Sequence, residues 1–499
     1  MNSLSIFQSQ NPQLLEAAQN LASAVSSLRI THYALPPRAL IVGGFVRDAL
    51  LNITSDDLDM EVYGVPVDDL QALLEKLYPK KLNLIGRSFG IFHVTFDDGF
   101  EFEISIPRRD SKTGTGHKGF TVEGDPTMSV EDAARRRDFT INSILADPMT
   151  GEVIDPFDGR SDLDRKILRV TDQKTFQDDP LRVYRAVQLT ARLQLTVEPE
   201  SFDLMRIMIE RGDLAELSPE RVTEEIRKLL LKAERPSLGL QMMFELGIIE
   251  RDYPELFVLK QTPQEPEWHP EGDVWIHTLM VVDQAAKIIR RETWNVKPET
   301  SEKLQVMLGA LCHDLGKPST TKMGEKAGVP RLRSLGHEEA GEEPTRMLCK
   351  KWMFGETIEH GAIMSAMQHL KPGTFYRAKE QGKLNDEQYA NAVRKLLKKI
   401  YPLSWRVLLA SAEADHRGRS LPGADSEPYE AGEIFTRTIE QFKLDEAPIK
   451  PLIQGRDLMD RGIKPGPRMG QIIAEIETAR DEGKIKTREE ALELLGTLL

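Results

Sequence analysis

Apolar and polar residues alternate most strictly along Asp57 to Val62, DLDMEV, which predicts a strand. Leu58, Met60 and Val62 fall on one face of it, and Asp57, Asp59 and Glu61 on the other. Just upstream, Ala39 to Val42 is a short apolar run that fits a buried strand. Gly43-Gly44 is a turn signal, and Phe45 to Leu51 carries apolar residues at helical spacing. The clearest hairpin is IFHVTF-DDG-FEFEISI, two alternating runs around a glycine-containing turn. Its second strand sets Glu101, Glu103 and Ser105 against Phe102, Ile104 and Ile106. From Asp179 to about residue 255 the pattern turns helical, as in PLRVYRAVQLTARL and PERVTEEIRKLLLKA. Gln261 to Asp273, QTPQEPEWHPEGD, reads as a Pro- and Glu-rich connector. A second helical region runs to about residue 420, and LPGADSEPYEAG leads into a small C-terminal part. There is no internal repeat or long low-complexity tract.

At 499 residues, more than one domain is expected. The pattern divides the chain into a head (1–165), a helical neck (166–255), a second helical domain (256–425) and a small helical C-terminal domain (426–499). The expected class is multidomain α+β, with a small mixed β-sheet in the head and a mostly α-helical remainder. No apolar run is long enough to span a bilayer, and MNSLSIFQSQNPQ lacks the basic start and apolar core of a signal peptide. No membrane partner is therefore expected. Cys312 and Cys349 make no disulfide framework, so a reducing cytoplasm is the default location. The formal net charge of −13 argues against a nucleic-acid partner unless cations cluster locally. They do, at Arg108-Arg109, at Arg135-Arg136-Arg137, and through Arg394, Lys395, Lys398 and Lys399.

A strand with a row of acids on one face is costly unless something positive meets it. Asp57 and Asp59, one pleat apart, can both reach a pair of Mg2+ ions. Such ions clamp the attacking and leaving oxygens of a phosphoryl transfer. Gly43 and Gly44 let backbone N–H groups approach a triphosphate, and Arg47 adds a fork of donors. An Asp-x-Asp alone is more often a solvated strand edge. The paired glycines, the Arg47-Asp48 pair and a second acidic strand together favour phosphate chemistry.

GGFVRDALL followed by DLD resembles the nucleotidyltransferases of the polymerase β superfamily. RRRDFTINSILAD, residues 135 to 147, narrows the resemblance to class II tRNA nucleotidyltransferases and their poly(A) polymerase relatives. It continues in order through IDPFDGRSDLDRKILR, DDPLRVYRAVQLTARL and LSPERVTEEIRKLL. The resemblance implies Asp57 and Asp59 as metal ligands and Arg47 near the triphosphate. It also implies Arg137, Asp138 and Asn142 at the ribose. Glu103 is expected as a third carboxylate, where the hairpin's acidic face would meet the DLD strand. Asn52 replaces the usual Gly after the two leucines and Ser143 a usual Ala, and neither is expected to touch the chemistry.

QDDPLRVYR offers a way to choose a base without a template. Asp179 and Arg182 lie one helical turn apart, with Pro180 placed to start the helix. Asp accepts hydrogen bonds and Arg donates them, which matches the amino group and neighbouring acceptor of C and A but not U and G. An ordinary capped helix with exposed arginines fits the same spacing. The family pattern is Glu-Asp-x-x-Arg; Asp178 stands at the Glu position, and Arg185 completes the nucleotide-binding set.

Seven of the ten histidines fall in the second helical region. LCHDLGKPS, with His277 upstream and His337, His369 and Asp415 downstream of His313-Asp314, resembles the HD phosphohydrolase pattern. Imidazole with carboxylate suits Ni2+, Mn2+ or Zn2+ over Mg2+. His269, His360 and His416 are expected to be non-ligands. KTGTGHKGF, the HD segment and SAEADHRGR resemble bacterial CCA-adding enzymes with a fused HD domain. That resemblance implies tRNA, CTP and ATP as partners. It also implies 2′,3′-cyclic phosphodiesterase, 2′-nucleotidase and phosphatase activity in the HD domain.

The same motifs serve enzymes that add only CC or only A, and poly(A) polymerases. The fused HD domain and C-terminal segment speak against the last. A metal-dependent RNA phosphohydrolase with a tRNA-binding head is the alternative of another class, and intact Asp57, Asp59 and Arg47 speak against it. The stopping point of addition is expected to depend on a loop within Ser111 to Gly124. A homo-oligomer is left open, as is whether the C-terminal piece packs against RNA or against the HD domain.

Overall fold

The computed structural model describes residues 6–30, 33, 35–79, 81–83, 90–96, 100–112, 120–291, 300–444, 452–481, 484, 485 and 487–498. They divide into two compact units, Met1–Phe257 and Val258–Leu499.

The strands of the first unit's head are β1 (Arg38–Val42), β2 (Asp57–Tyr63), β3 (Leu82–Asn83), β4 (Ile91–Thr95), β5 (Glu101–Ser105), β6 (Arg108–Lys112), β7 (Phe120–Gly124), β8 (Leu145–Ala146) and β9 (Val153–Ile154). Seven form one mixed sheet in the order β3-β4-β5-β2-β1-β8-β9, and β6 and β7 pair as a separate hairpin. Of the stretch Ser111 to Gly124, expected to hold a loop, Ser111 and Lys112 belong to β6 and Phe120–Gly124 is β7, while residues 113–119 lie outside the described residues.

β1 is an interior strand and feeds both layers. Ala39 and Ile41 enter one apolar core, and Leu40 and Val42 enter the other. That is why its run is apolar throughout rather than alternating. β2 has a continuous core on one side only: Leu58, Met60 and Val62 pack with Phe92, Val94, Phe102 and Ile104. The helices Pro12–Ser26, Gly44–Leu50 and Val67–Leu77 contribute to the same core. Each such side chain contributes roughly 1.5–3 kcal/mol by leaving water. A one-residue slip of β2 would bury Asp57 and Asp59 instead, so the pattern sets the register. β4 and β5 pair antiparallel, as the hairpin pattern predicts, while β2 and β5 run parallel.

The rest of this unit is mainly helical. Leu181–Leu193 packs on Pro219–Lys232 and Pro236–Glu245. In the second unit, Val274–Ile288, Thr300–Cys312, Glu356–Gln368 and Trp405–Arg417 form a mutually packed helical core. A two-stranded ribbon, Thr321–Lys326 with Val329–Ser334, stands between two of its site residues. Helix Glu430–Phe442 packs on Lys371–Glu380 and Asp386–Ile400, while Ile453, Leu458, Ile472, Ile476 and Leu495 share a separate small core.

Gln261 to Asp273 is more than the connector its composition suggested. Thr262 accepts from the Val274 N–H at 3.1 Å, and Glu265 accepts from the Leu332 N–H at 2.9 Å. This segment is stitched into the second unit. No helix among the described residues is long and apolar enough to cross a membrane.

Candidate active sites

The parallel register of β2 and β5 places Asp57 opposite Glu101 and Asp59 opposite Glu103. Asp59 is half-buried. Burial, helped by Glu103 and Asp57, pushes its carboxyl up to about 6. An acid row that repels itself this way fits a hard divalent cation, the charge partner carboxylates prefer. His93 on β4 stands opposite Glu103, with Nε2 3.8 Å from Oε2.

Gly43 adopts φ of +70° at the end of β1. A Cβ there would stand 3.0 Å from Arg137 Nη1 and 3.9 Å from Asp59 Oδ2. The glycine therefore serves the close approach of turn, arginine and acid. Asn52 also has positive φ, at 57°. A usual glycine there makes steric sense, and asparagine is among the residues that tolerate it. Ser143 is buried, with Oγ 3.1 Å from the Ala134 and Phe139 carbonyls and 2.8 Å from Thr171 Oγ1. Its extra hydroxyl is spent on the fold.

Arg47 is buried and fully engaged. Nε and Nη2 donate to Asp48 Oδ1 at 2.8 and 2.6 Å, and Nη1 donates to Asn142 Oδ1 at 2.6 Å. Asn142 Nδ2 donates to Asp138 Oδ1 at 2.9 Å, and Arg185 Nε donates to Asp138 Oδ2 at 2.6 Å. Arg192 Nη2 closes the far end on Asp48 Oδ2 at 3.0 Å. Burial opposes ionisation of Asp138, but Arg185 and Asn142 hold its carboxyl down at about 2. Three arginines against two aspartates leave one positive charge, an arrangement suited to an anion. Arg47, Asp138, Asn142 and Arg185 thus come together as one network. Asp48 and Arg192 complete it without having been singled out as site residues. Arg137 lies beside it, with Nη2 3.1 Å from Glu61 Oε1.

Asp179 and Arg182 are neighbours at the start of Leu181–Leu193, and both have partners already. Asp179 Oδ1 accepts from the Leu181 N–H at 3.1 Å, and Oδ2 accepts from Arg221 Nη2 at 2.8 Å. Arg182 donates to the Thr175 and Arg136 carbonyls at 2.7 and 2.6 Å. The helix cap and a side-chain pairing coexist here. Arg221, in the LSPERVTEEIRKLL stretch, had not been singled out.

In the second unit His277, the adjacent pair His313-Asp314, His337, His369 and Asp415 come from five separate stretches of chain into one buried cluster. His277 Nε2 is 3.2 Å from Asp415 Oδ1, and His313 Nε2 is 3.0 Å from Asp314 Oδ2. His337 Nε2 is 3.4 Å from Asp314 Oδ1. The other ring nitrogens are held from behind. Nδ1 of His313, His337 and His369 meets the carbonyls of Ala310, Ser334 and Ala366 at 2.8, 2.8 and 2.6 Å. Each of these Nδ1 atoms therefore carries the proton and leaves Nε2 as a lone-pair donor. Burial, with His313 and His337 nearby, pushes His369 down to about 3, so it is neutral at pH 7. His313 Nε2 and His337 Nε2 are buried and make no hydrogen bond. Inward imidazole lone pairs beside a buried carboxylate fit a divalent metal. Two ligand groups, His277–His313–Asp314 and Asp314–His337–His369, share Asp314.

The surroundings of this cluster were partly unforeseen. Glu271 Oε1 is 2.9 Å from His277 Nδ1 and 2.9 Å from His269 Nδ1. His269, expected to be a non-ligand, instead joins Glu271 and His277 in a third candidate ligand group, its ring 4.6 Å from that of His277. Lys317 Nζ reaches Asp314 Oδ2 at 2.7 Å and Gln264 Oε1 at 2.6 Å. Arg419 Nη2 donates to Asp415 Oδ2 at 2.8 Å. Lys317 and Arg419 follow their aspartates by three and four residues, a helical spacing that could have marked them. His416 packs against Tyr429, and neither it nor His360 belongs to a candidate ligand group among the described residues.

Comparison with known proteins assigns both regions to known domain families. The Poly A polymerase head domain matches residues 39–169 and the HD domain matches residues 274–400. Two further polymerase-A and tRNA nucleotidyltransferase models match 194–259 and 439–495. The Multifunctional CCA protein of Stenotrophomonas maltophilia (strain R551-3) is 33% identical over 440 residues, 87% of this chain and 96% of that protein. The chain belongs to the multifunctional CCA protein family. The namesake from Pasteurella multocida (strain Pm70) is 33% identical over 76% of this chain and 84% of its own. Among solved structures, the Bacillus stearothermophilus CCA-adding enzyme in complex with CTP superposes with a TM-score of 0.59 at 20% identity, covering 98% of each chain. The Thermotoga maritima CCA-adding enzyme complexed with tRNA gives 0.55 at 19%, covering 100% of this chain and 98% of its own. This family is one of enzymes that depend on divalent metal ions.

Proposed function

We propose that the first unit joins CMP, CMP and AMP from CTP and ATP to tRNA 3′ ends without a nucleic-acid template, releasing pyrophosphate. The second unit hydrolyses phosphoesters, 2′,3′-cyclic phosphates above all, with 2′-nucleotidase and phosphatase activity at the same centre. The observation that carries the first reading is the β2–β5 register, which sets Asp57 and Asp59 against Glu101 and Glu103 beside a buried network with surplus positive charge. The names of the relatives support it.

In this reading Asp57, Asp59 and Glu103 hold Mg2+, which when bound supplies Lewis acidity to the reacting phosphate. Arg47, fixed by Asp48 and Asn142, offers the triphosphate its charge without having to be ordered at each cycle. Gly43 keeps the turn open beside Asp59, and Gly44 extends it. Arg137, Asp138 and Asn142 meet the ribose. Asp179 exchanges Arg221 for the amino group of C or A, and Arg182 gives up a backbone carbonyl for the base's acceptor. This work belongs to the cytoplasm, a reading that the tRNA-processing relatives support.

His277, His313, Asp314, His337, His369 and Asp415 would hold a divalent transition metal such as Ni2+ or Mn2+. Such an ion would make a bound water acidic enough to act as nucleophile near neutral pH. Lys317 and Arg419 keep the two aspartates ionised and aimed.

Two variants of one preparation test the division of labour. Asp57→Ala should abolish nucleotide addition and leave Mn2+- or Ni2+-stimulated hydrolysis of a 2′,3′-cyclic phosphate intact. Asp314→Ala should do the reverse. Addition by Asp57→Ala within about tenfold of wild type is too high for a lost metal ligand and would sink the assignment.

A further inference from the structure

The ribbon Thr321–Lys326/Val329–Ser334 has no role in the account so far. Its register pairs Lys322 with Arg333, Gly324 with Arg331 and Lys326 with Val329. Directly opposed residues share a face, so Lys322, Lys326, Arg331 and Arg333 all lie on one side. Glu325 alternates onto the other side. Trp268 belongs to the cationic face: Lys326 Nζ stands 4.1 Å and the Arg331 guanidinium 5.5 Å from its ring centre. Arg331 is neutralised by Glu265 and Glu267, and Arg333 donates to the Glu325 carbonyl at 3.1 Å. Four cations against those two acids leave two positive charges on one narrow strip, in a chain of net charge −13.

Two features of the strip call for an anionic partner. Lys322 and Arg333 are like charges directly opposite each other, an arrangement that destabilises a bare ribbon. The strip is also linear and carries an aromatic ring, the pairing that single-stranded nucleic acid uses: cations for the backbone, a ring for a base. The ribbon's position gives the direction. Its base is closed by Thr321 Oγ1 and Ser334 Oγ at 2.7 Å. One strand leaves from Lys317, which is on Asp314 at 2.7 Å, and the other returns to His337, whose Nδ1 meets the Ser334 carbonyl at 2.8 Å. Six residues per strand reach roughly 20 Å outward, long enough for a few nucleotides.

We propose that this ribbon is a track for the phosphate backbone of an RNA strand whose 3′ end enters the histidine site. The preferred hydrolase substrate is then an RNA terminus rather than a free nucleotide. The proposal rests on the hydrolase reading of that site and names its substrate class.

The test compares a short RNA ending in a 2′,3′-cyclic phosphate with a cyclic mononucleotide. The enzymes are the wild type, the combined variant Lys322→Ala, Lys326→Ala, Arg333→Ala, and the charge-keeping Lys322→Arg, Lys326→Arg. On RNA, kcat/KM should fall about tenfold in the alanine variant and become less sensitive to salt. On the mononucleotide it should stay within about twofold, and the arginine variant should match wild type on both. Undiminished RNA turnover would overturn the proposal and leave the ribbon to an acidic protein partner. An equal loss on both substrates would also overturn it, making the ribbon a brace for His337. If the wild type hydrolyses neither substrate, the hydrolase reading fails on its own. Fluorescence anisotropy with the same RNA then decides the track: weaker binding by the alanine variant upholds it, and equal binding refutes it.

Discussion

Asp59 lies directly opposite Glu103 across the parallel pair β2–β5, and the residues that align them are apolar. Leu58 against Phe102 and Met60 against Ile104 bury the other face of the same two strands. Core packing thus sets the spacing of the acids. Glu103→Gln should lower CTP and ATP incorporation at least tenfold and raise the Mg2+ concentration needed for half-maximal rate. The side chain is outside the core, so Tm should hardly move. Steady-state kinetics over a Mg2+ series would check this. An unchanged rate and Mg2+ requirement would leave Asp57 and Asp59 as the only acids of the centre.

Asp138 of the head and Arg185 of the neck form an ion pair, Oδ2 to Nε at 2.6 Å. The Asp138 carboxyl is held at about 2, below its usual 3.8. A depressed carboxylate adds stability that is complete above the unfolded value, near pH 4, and is lost as pH falls through about 2. Nearly two pKa units correspond to about 2 kcal/mol. Asp138→Asn should therefore lower unfolding free energy by about that much, and more if Arg185 stays unpaired. The loss should be the same at pH 6 and pH 8. Denaturant unfolding at both values checks it, and a loss that varies between them would assign the effect to another group.

Asp179 both caps a helix and pairs with Arg221, so its two proposed roles separate by substitution. Asp179→Asn keeps an acceptor for the Leu181 N–H and should cost little stability. Asp179→Ala should lose about 1 kcal/mol. Both should raise misincorporation of U and G, because neither keeps a pure acceptor for the amino group of C or A. Single-nucleotide incorporation assays measure this. If selection survives in both variants while Asp179→Ala alone is destabilised, Asp179 is a cap only.

Glu271 holds His277 from behind. Glu271→Gln should weaken Mn2+ binding by about 10- to 100-fold while leaving CCA addition unchanged. Calorimetric titration of metal-stripped protein reads both affinity and stoichiometry. Wild type should take two ions at this centre and Asp314→Ala fewer, because Asp314 belongs to two of the three candidate ligand groups among the described residues.

The parts of these sites visible in the sequence are those set by local period. DLDMEV announced a strand with acids on one face, and the β4–β5 hairpin followed from alternation. Glu103 could be placed because pairing of two acidic strands was the economical way to use both. The residues that escaped are joined by the fold rather than by spacing. Arg192 meets Asp48 from 144 positions away, and Arg221 meets Asp179 from 42. Glu271 lies in a Pro- and Glu-rich stretch whose composition signals a connector. Only the folded second unit brings it to His277.

The most direct measurement takes purified protein, tRNA lacking its CCA end, and each labelled nucleoside triphosphate alone and in combination, resolved on a sequencing gel. CTP alone should extend the tRNA by two nucleotides. CTP with ATP should extend it by three and then stop, and UTP or GTP should add essentially nothing. No extension under any mixture, extension by C or A only, or an open-ended A tract would contradict the account.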